Sequence, residues 1–211
     1  NGKIVKPKTK ILGGEQINIL DPYNGEESLF QPEDISLDII YEDDTLAVVN
    51  KDTNTVVHPG SGNWSGTMLN GILFHYPNSK HIPRAGIVHR LDKDTTGLMV
   101  VAKSLEAQIN LVRQLQSKTV HREYYALVNG KTPTKGTIDQ PIGRHPKNRT
   151  KMAISSAGKD AVTHFTKLAE GDKWSALSCV LETGRTHQIR VHLTSIGHSL
   201  LGDQTYKSNH Q

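Results

Sequence analysis

Apolar residues come in short runs along this chain, and the spacing within the runs changes from one to the next. Leu37-Asp38-Ile39-Ile40 and Thr45-Leu46-Ala47-Val48-Val49-Asn50 read as strands that start a sheet. Met68, Leu69, Ile72, Leu73 and Tyr76 fall on one face of a helix over residues 67–76. Ile87-Val88 and the run Leu98 to Ala102 read as two buried strands, separated by the turn formers Asp94, Thr95, Thr96 and Gly97. Ser104 caps a helix through Ser117, with Leu105, Ile109, Val112 and Leu115 at helical spacing. Strand character returns over residues 123–128, 162–168 and 175–183, and a last helix from about His187 to Ile196 stops at Gly197. Helices interleaved with unevenly spaced, hairpin-like strands predict an α+β domain on a mixed, mostly antiparallel sheet with flanking helices.

The first part of the chain follows a different rhythm. Residues 1–20 alternate polar and apolar positions around Asn1-Gly2 and Gly13-Gly14, the mark of two short strands. Residues 21–36, with Pro22, Gly25 and Pro32 among acidic residues, read as a linker, and residues 37–211 as the main domain. There is no internal repeat and no low-complexity tract. The chain does not open on Met and reads as a fragment.

Composition narrows the class without naming a chemistry. A chain of 211 residues suits one domain with a small appendage. Its excess of 25 Lys and Arg over 21 Asp and Glu points weakly toward polyanions. The lone cysteine, Cys179, allows no disulfide within the chain, which fits a reducing, cytoplasmic setting. No run of apolar residues is long enough to span a membrane.

The chemistry concentrates in residues 86–103. Asp92 sits where a strand leaves the sheet, so its carboxylate can be aimed rigidly, with Arg90 two residues before it. His89-Arg90-Leu91-Asp92 is not a kinase catalytic loop, because the Asp is one place late and no Asp-Phe-Gly accompanies it. No Gly-x-Ser-x-Gly elbow supports a nucleophile triad, and residues 60–66 lack the Lys-Ser/Thr of a phosphate loop. On composition alone, a turn whose carboxylates bond backbone amides is the more probable use. His89, His187 and His192 have no Cys or carboxylate cluster to complete a metal site and read as structural histidines. Arg144, Lys147, Arg149 and Lys151 crowd one loop between strands; loops of this density are often only solvated, and beside an RNA cleft phosphate contact is the better reading.

Residues 86–103 resemble the His-Arg-Leu-Asp-x-x-Thr-Ser/Thr-Gly-Leu signature of the RluA-type pseudouridine synthases, which isomerise uridine in RNA. The resemblance continues through Val57-His58-Pro59-Gly60, Arg122-Glu123-Tyr124, Pro141-Ile142-x-Arg144-His145-Pro146 and residues 181–192, in the family's order. Its wording is nearest to members that act on large-subunit ribosomal RNA, with ribosomal RNA or a precursor of that subunit as the implied partner. A tRNA-directed synthase of the same family and a non-catalytic RNA-binding or assembly factor are the alternatives. Residues 1–20 resemble the end of an S4-type RNA-binding module. The family continues past the position of Tyr206, so the resemblance implies a catalytic domain shortened at its carboxyl end.

The same resemblance implies residue roles. Asp92 matches the catalytic aspartate, acting at the ribose or base. Arg185 matches the arginine that pairs with it, Arg190 being the nearest rival and otherwise an RNA contact. Tyr124 matches the tyrosine that stacks on the target base, and Arg90 the arginine that fills the vacated place when the uridine flips out. The reaction implies no cofactor and no metal, and a monomer suffices for it.

Overall fold

The computed structural model describes residues 30–60 and 62–207, together with residues 5, 9, 10, 13, 14 and 16. The hairpin expected over residues 1–20, with its S4-like resemblance, and most of the linker fall outside the described residues.

Strands β1 (Ile39–Glu42), β2 (Leu46–Lys51) and β3 (Gly97–Ala102) form one antiparallel sheet in the order β1-β2-β3. Helix α1 (Met68–His75) packs on it. Thr67 begins that helix, and its backbone N–H donates to Oδ1 of Asn70 at 3.0 Å. The face predicted from spacing is the one buried: Met68, Leu69, Ile72 and Leu73 meet Val49, Val57, Ile87, Met99 and Val101. Each such side chain contributes roughly 1.5–3 kcal/mol by leaving water.

After β3 the chain turns at once into α2 (Leu105–Gln116), whose cap Ser104 accepts the N–H of Ala107 at 3.1 Å. This helix departs from its predicted seam. Leu105 and Ile109 are each 52% exposed, whereas Gln108 is buried and donates through Nε2 to the carbonyl of Pro83 at 2.7 Å. The helix is fixed by a polar tether on the adjoining face, which period alone does not reveal.

Because α2 carries the chain off the edge of β3, the next strands begin a separate ladder. Strands β4 (Glu123–Asn129), β5 (Lys135–Asp139), β8 (Val162–Glu170) and β9 (Trp174–Leu181) pair in the order β4-β9-β8-β5. The pair β6 (Ile142–Arg144) and β7 (Met152–Ile154) forms a hairpin, and α3 (Gln188–Ser195) follows β9. Among the described residues the single mixed sheet expected from the sequence is thus three sheets, and every named strand pairing is antiparallel.

A second core, with Val128, Phe165, Leu177, Cys179 and Leu193, lies between the four-stranded sheet and α3. Tyr124 on β4 packs against both cores. Its neighbour Tyr125 points the other way and is 77% exposed. The site described next lies at this junction.

Candidate active site

The loop bearing Asp92 is pinned on both sides. Before it, Arg84, Ala85 and Gly86 are all left-handed, at φ of 55°, 52° and 82°. A Cβ on Gly86 would stand 1.9 Å from the carbonyl oxygen of Ala102, so only glycine passes there. The left-handed turn lets Ile87 bridge to Val101, but the strand expected at Ile87-Val88 shrinks to that one bridge. Nε2 of His89 then accepts the N–H of Val100 at 3.0 Å, and Leu91 is buried in the first core. After Asp92, Lys51 donates through Nζ to the carbonyls of Lys93 (2.9 Å), Thr55 (3.0 Å) and Asp52 (2.8 Å). These contacts fix the backbone on both sides of Asp92.

Asp92 is paired with Arg190, not Arg185. Nη1 of Arg190 donates to Oδ2 of Asp92 at 3.0 Å. Nε of Arg185 instead donates to the carbonyl of Asp160 at 2.9 Å. The reason lies at the start of α3. His187 adopts φ 56°, ψ 24°, so the chain turns between the two arginines, and Arg190, within the helix, faces the carboxylate. Nη2 and Nε of Arg190 hold Asp203 at 3.0 and 2.7 Å, a two-bond fork. The cation read as a possible RNA contact therefore has all its nitrogens engaged by two carboxylates. Burial works against the charged form of Arg190, but the bonds from Asp203 and Asp92 outweigh it and raise its pKa. Burial pushes Asp203 up, yet bonds from Arg190 and from the amides of Tyr206 and Thr205 leave it below the usual range.

Tyr206 completes this wall. Its hydroxyl accepts the N–H of Met152 at 2.8 Å and hydrogen-bonds Nδ1 of His187 at 2.7 Å, while its ring lies 4.9 Å from the Arg190 guanidinium carbon. Nε2 of His187 stands 3.9 Å from Oδ1 of Asp92. Burial lowers the pKa of His187, with Asp92 opposing that shift. The sequence signalled neither Asp203 nor Tyr206 as part of the site. The available clue was Gly202-Asp203-Gln204-Thr205, an Asx-type turn in which Oδ1 of Asp203 accepts the N–H of Thr205 at 2.8 Å.

On its open side Asp92 faces a cleft of about 940 Å³, lined among others by His58, Arg84, His89, Arg90, Arg122 and Tyr124. A smaller hollow of about 130 Å³ behind it holds His187 and Arg190, and Asp92, Tyr124, Arg90 and Arg185 border both spaces. Burial, then the charges of Arg90 and Arg84, holds His58 down at about 4. Burial, then Arg122, does the same for His89, also at about 4. Both imidazoles are therefore neutral near pH 7, so the positive charge of the cleft belongs to its arginines and to Lys80 and Lys118. The Tyr124 hydroxyl is pushed up, first by burial; Arg122 opposes that shift and Asp92 adds to it.

The basic loop lies against the same wall. Arg144, Lys147 and Arg149 are exposed, and Nη1 of Arg144 ties the loop by donating to the carbonyl of Arg149 at 2.6 Å. Nζ of Lys151 lies 6.0 Å from the centre of the Tyr206 ring, next to Arg190. Among the described residues no group of three His, Cys, Asp or Glu is placed to hold a metal ion, and no helix is long and apolar enough to cross a membrane.

This arrangement of antiparallel sheets has counterparts. Residues 45–195 match the family model described as RNA pseudouridylate synthase, and the chain belongs to that family. Two solved structures are similar in fold. Human RNA Pseudouridylate Synthase Domain Containing 1 has a TM-score of 0.66 at 28% identity, over 82% of this chain and 70% of that one. Human RNA Pseudouridylate Synthase Domain Containing 4 has 0.64 at 26%, over 80% and 68%.

Among curated relatives, the chain is similar to Ribosomal large subunit pseudouridine synthase D of Pasteurella multocida, 53% identical over 98% of this chain and 64% of that protein. The protein of the same name from Nitrosomonas europaea is 55% identical over 94% of this chain and 58% of that one. The chain thus spans less than two thirds of the length of these relatives.

Proposed function

We propose that this chain carries the catalytic part of an enzyme that converts specific uridines of large-subunit ribosomal RNA to pseudouridine. The observation that carries the reading is the pairing of Asp92 with Arg190 at the floor of a cationic cleft beside Tyr124, in a chain of this family. The isomerisation breaks the bond between N1 and C1′ of uridine and rejoins C1′ to C5. The hydrogen on C5 is lost and N1 gains one, so atoms balance without a redox partner.

Asp92 supplies the carboxylate that acts at the ribose or base, with Oδ2 held by Arg190 and Oδ1 toward His187. Tyr124 offers its ring to the flipped base, a contact worth about 1–3 kcal/mol that tolerates rotation of the base. Arg90 takes the vacated place in the RNA, and Arg144, Lys147, Arg149 and Lys151 contact phosphates. Arg185, at the rim shared by cleft and hollow, is on this reading a further RNA contact. Residues 1–20 are the end of an S4-like module joined by a linker to the catalytic domain, and the protein works as a monomer in the cytoplasm.

The test is release of tritium from RNA labelled at C5 of uridine, comparing the unsubstituted protein with Asp92→Asn. Release by the first and none by the second is expected, with RNA binding retained in both. Continued release by Asp92→Asn sinks the catalytic assignment, and release from tRNA but not ribosomal RNA shifts the substrate.

A further inference from the structure

Arg122 enters the cleft just before β4, two residues ahead of Tyr124 and so on the same side of the extended chain. Its Nη2 donates to the backbone carbonyl of Glu182 at 3.0 Å. The Glu182 carboxylate is turned away, toward Lys118 at 3.0 Å and His164 at 2.8 Å. Nε of Arg122 is buried and has no acceptor, and no described carboxylate lies within ion-pair distance of the guanidinium. This differs from Arg190, which two carboxylates hold. Opposite Arg122, Gly184 leaves the room it needs: a Cβ there would stand 2.5 Å from Nη1.

A carbonyl fixes the direction of a guanidinium without neutralising it, and an uncompensated, partly desolvated cation favours an anion. Uracil carbonyls are neutral, and the ionised group of RNA at neutral pH is the phosphodiester. Because Arg122, Tyr124 and Asp92 line one cleft, with Arg122 two residues before Tyr124, that phosphodiester would lie next to the nucleotide stacked on Tyr124. We propose that Arg122, oriented by the Glu182 carbonyl and given space by Gly184, binds a phosphate of the RNA strand adjoining the target nucleotide. The inference rests on the cleft being the RNA site.

The experiment reads binding without turnover: affinity for a uridine-containing RNA stem-loop over a salt series, for the unsubstituted protein, Arg122→Gln and Gly184→Ala. Losing one phosphate contact to a single-stranded loop flattens the log–log slope by about 0.7, or about fivefold in affinity at about 0.1 M salt. Arg122→Gln is expected to show that change while still folding cooperatively, its melting temperature lowered only slightly by loss of the Glu182 bond. Gly184→Ala keeps the charge but displaces it, and is expected to weaken binding as well. A wild-type slope in Arg122→Gln overturns the proposal, as does wild-type affinity in Gly184→Ala. Failure of the isomerase reading would appear separately, as absence of tritium release by the unsubstituted protein that still binds RNA with its full slope.

Discussion

Replacing Asp203 should disable the site through a residue that need not touch RNA. Asp203 takes two of the three bonds that Arg190 makes with carboxylates, at 2.7 and 3.0 Å, and its side chain is 4% exposed. Asp203→Asn keeps the shape but turns one acceptor into a donor that faces guanidinium N–H groups. Its remaining oxygen must serve the amides of Thr205 and Tyr206 as well as Arg190. A hydrogen bond to a charged group is worth about 1.5–3 kcal/mol, so a loss of about 2 kcal/mol is expected. In a domain of this size that lowers the melting temperature by roughly 4–8 °C. The guanidinium is then free to rotate onto Asp92 with its fork, and a displacement of about 1 Å at the reacting group can cost about 100-fold in turnover. Differential scanning fluorimetry and tritium release, with RNA affinity as the control, measure the two effects. If Asp203→Asn melts and turns over like the unsubstituted protein, the fork does not position Arg190.

Three further outcomes follow from the same geometry. Arg185→Ala removes one bond to a carbonyl, about 1 kcal/mol, whereas Arg190→Ala strands both Asp92 and Asp203. Turnover should accordingly fall far more in the second, and the reverse order would refute the pairing seen here. His89 has its pKa at about 4 when folded against 6.5 when free, so the unfolded chain takes up its proton first as pH falls. Stability from neutral His89 is complete above about pH 6.5 and is lost toward pH 4; thermal melts of His89→Gln should depend less steeply on pH across that window, and equal slopes would count against it. Gly86→Ala adds a left-handed alanine, about 1–2 kcal/mol, and a clash with the Ala102 carbonyl, so its melting temperature should fall by more than that strain alone requires.

How far the sequence could be read depended on the range of the interaction. The cap at Ser104 and the buried face of α1 were legible, because a helix writes its own period into adjacent residues. The exposure of Leu105 and Ile109 was not, because it depends on Gln108 reaching Pro83, in another turn of the chain. Asp92 was legible through the wording around it. Its partner was not, since Arg185 and Arg190 both follow the same turn, and the left-handed backbone of His187 decides which one faces the carboxylate. The division into separate sheets was hidden too, because alternation identifies a strand without naming its neighbour.

The separation of Asp92 from Arg190, 98 residues along the chain, sets an order of events during synthesis. Closing a loop of that length costs on the order of 4 kcal/mol in chain entropy before the pair can form. Asp92 leaves the ribosome long before Arg190, Asp203 and Tyr206, and until they follow it has no cation held in place beside it. A nascent chain released early would therefore carry its signature aspartate and no assembled centre, so catalytic competence would be acquired late and in one step.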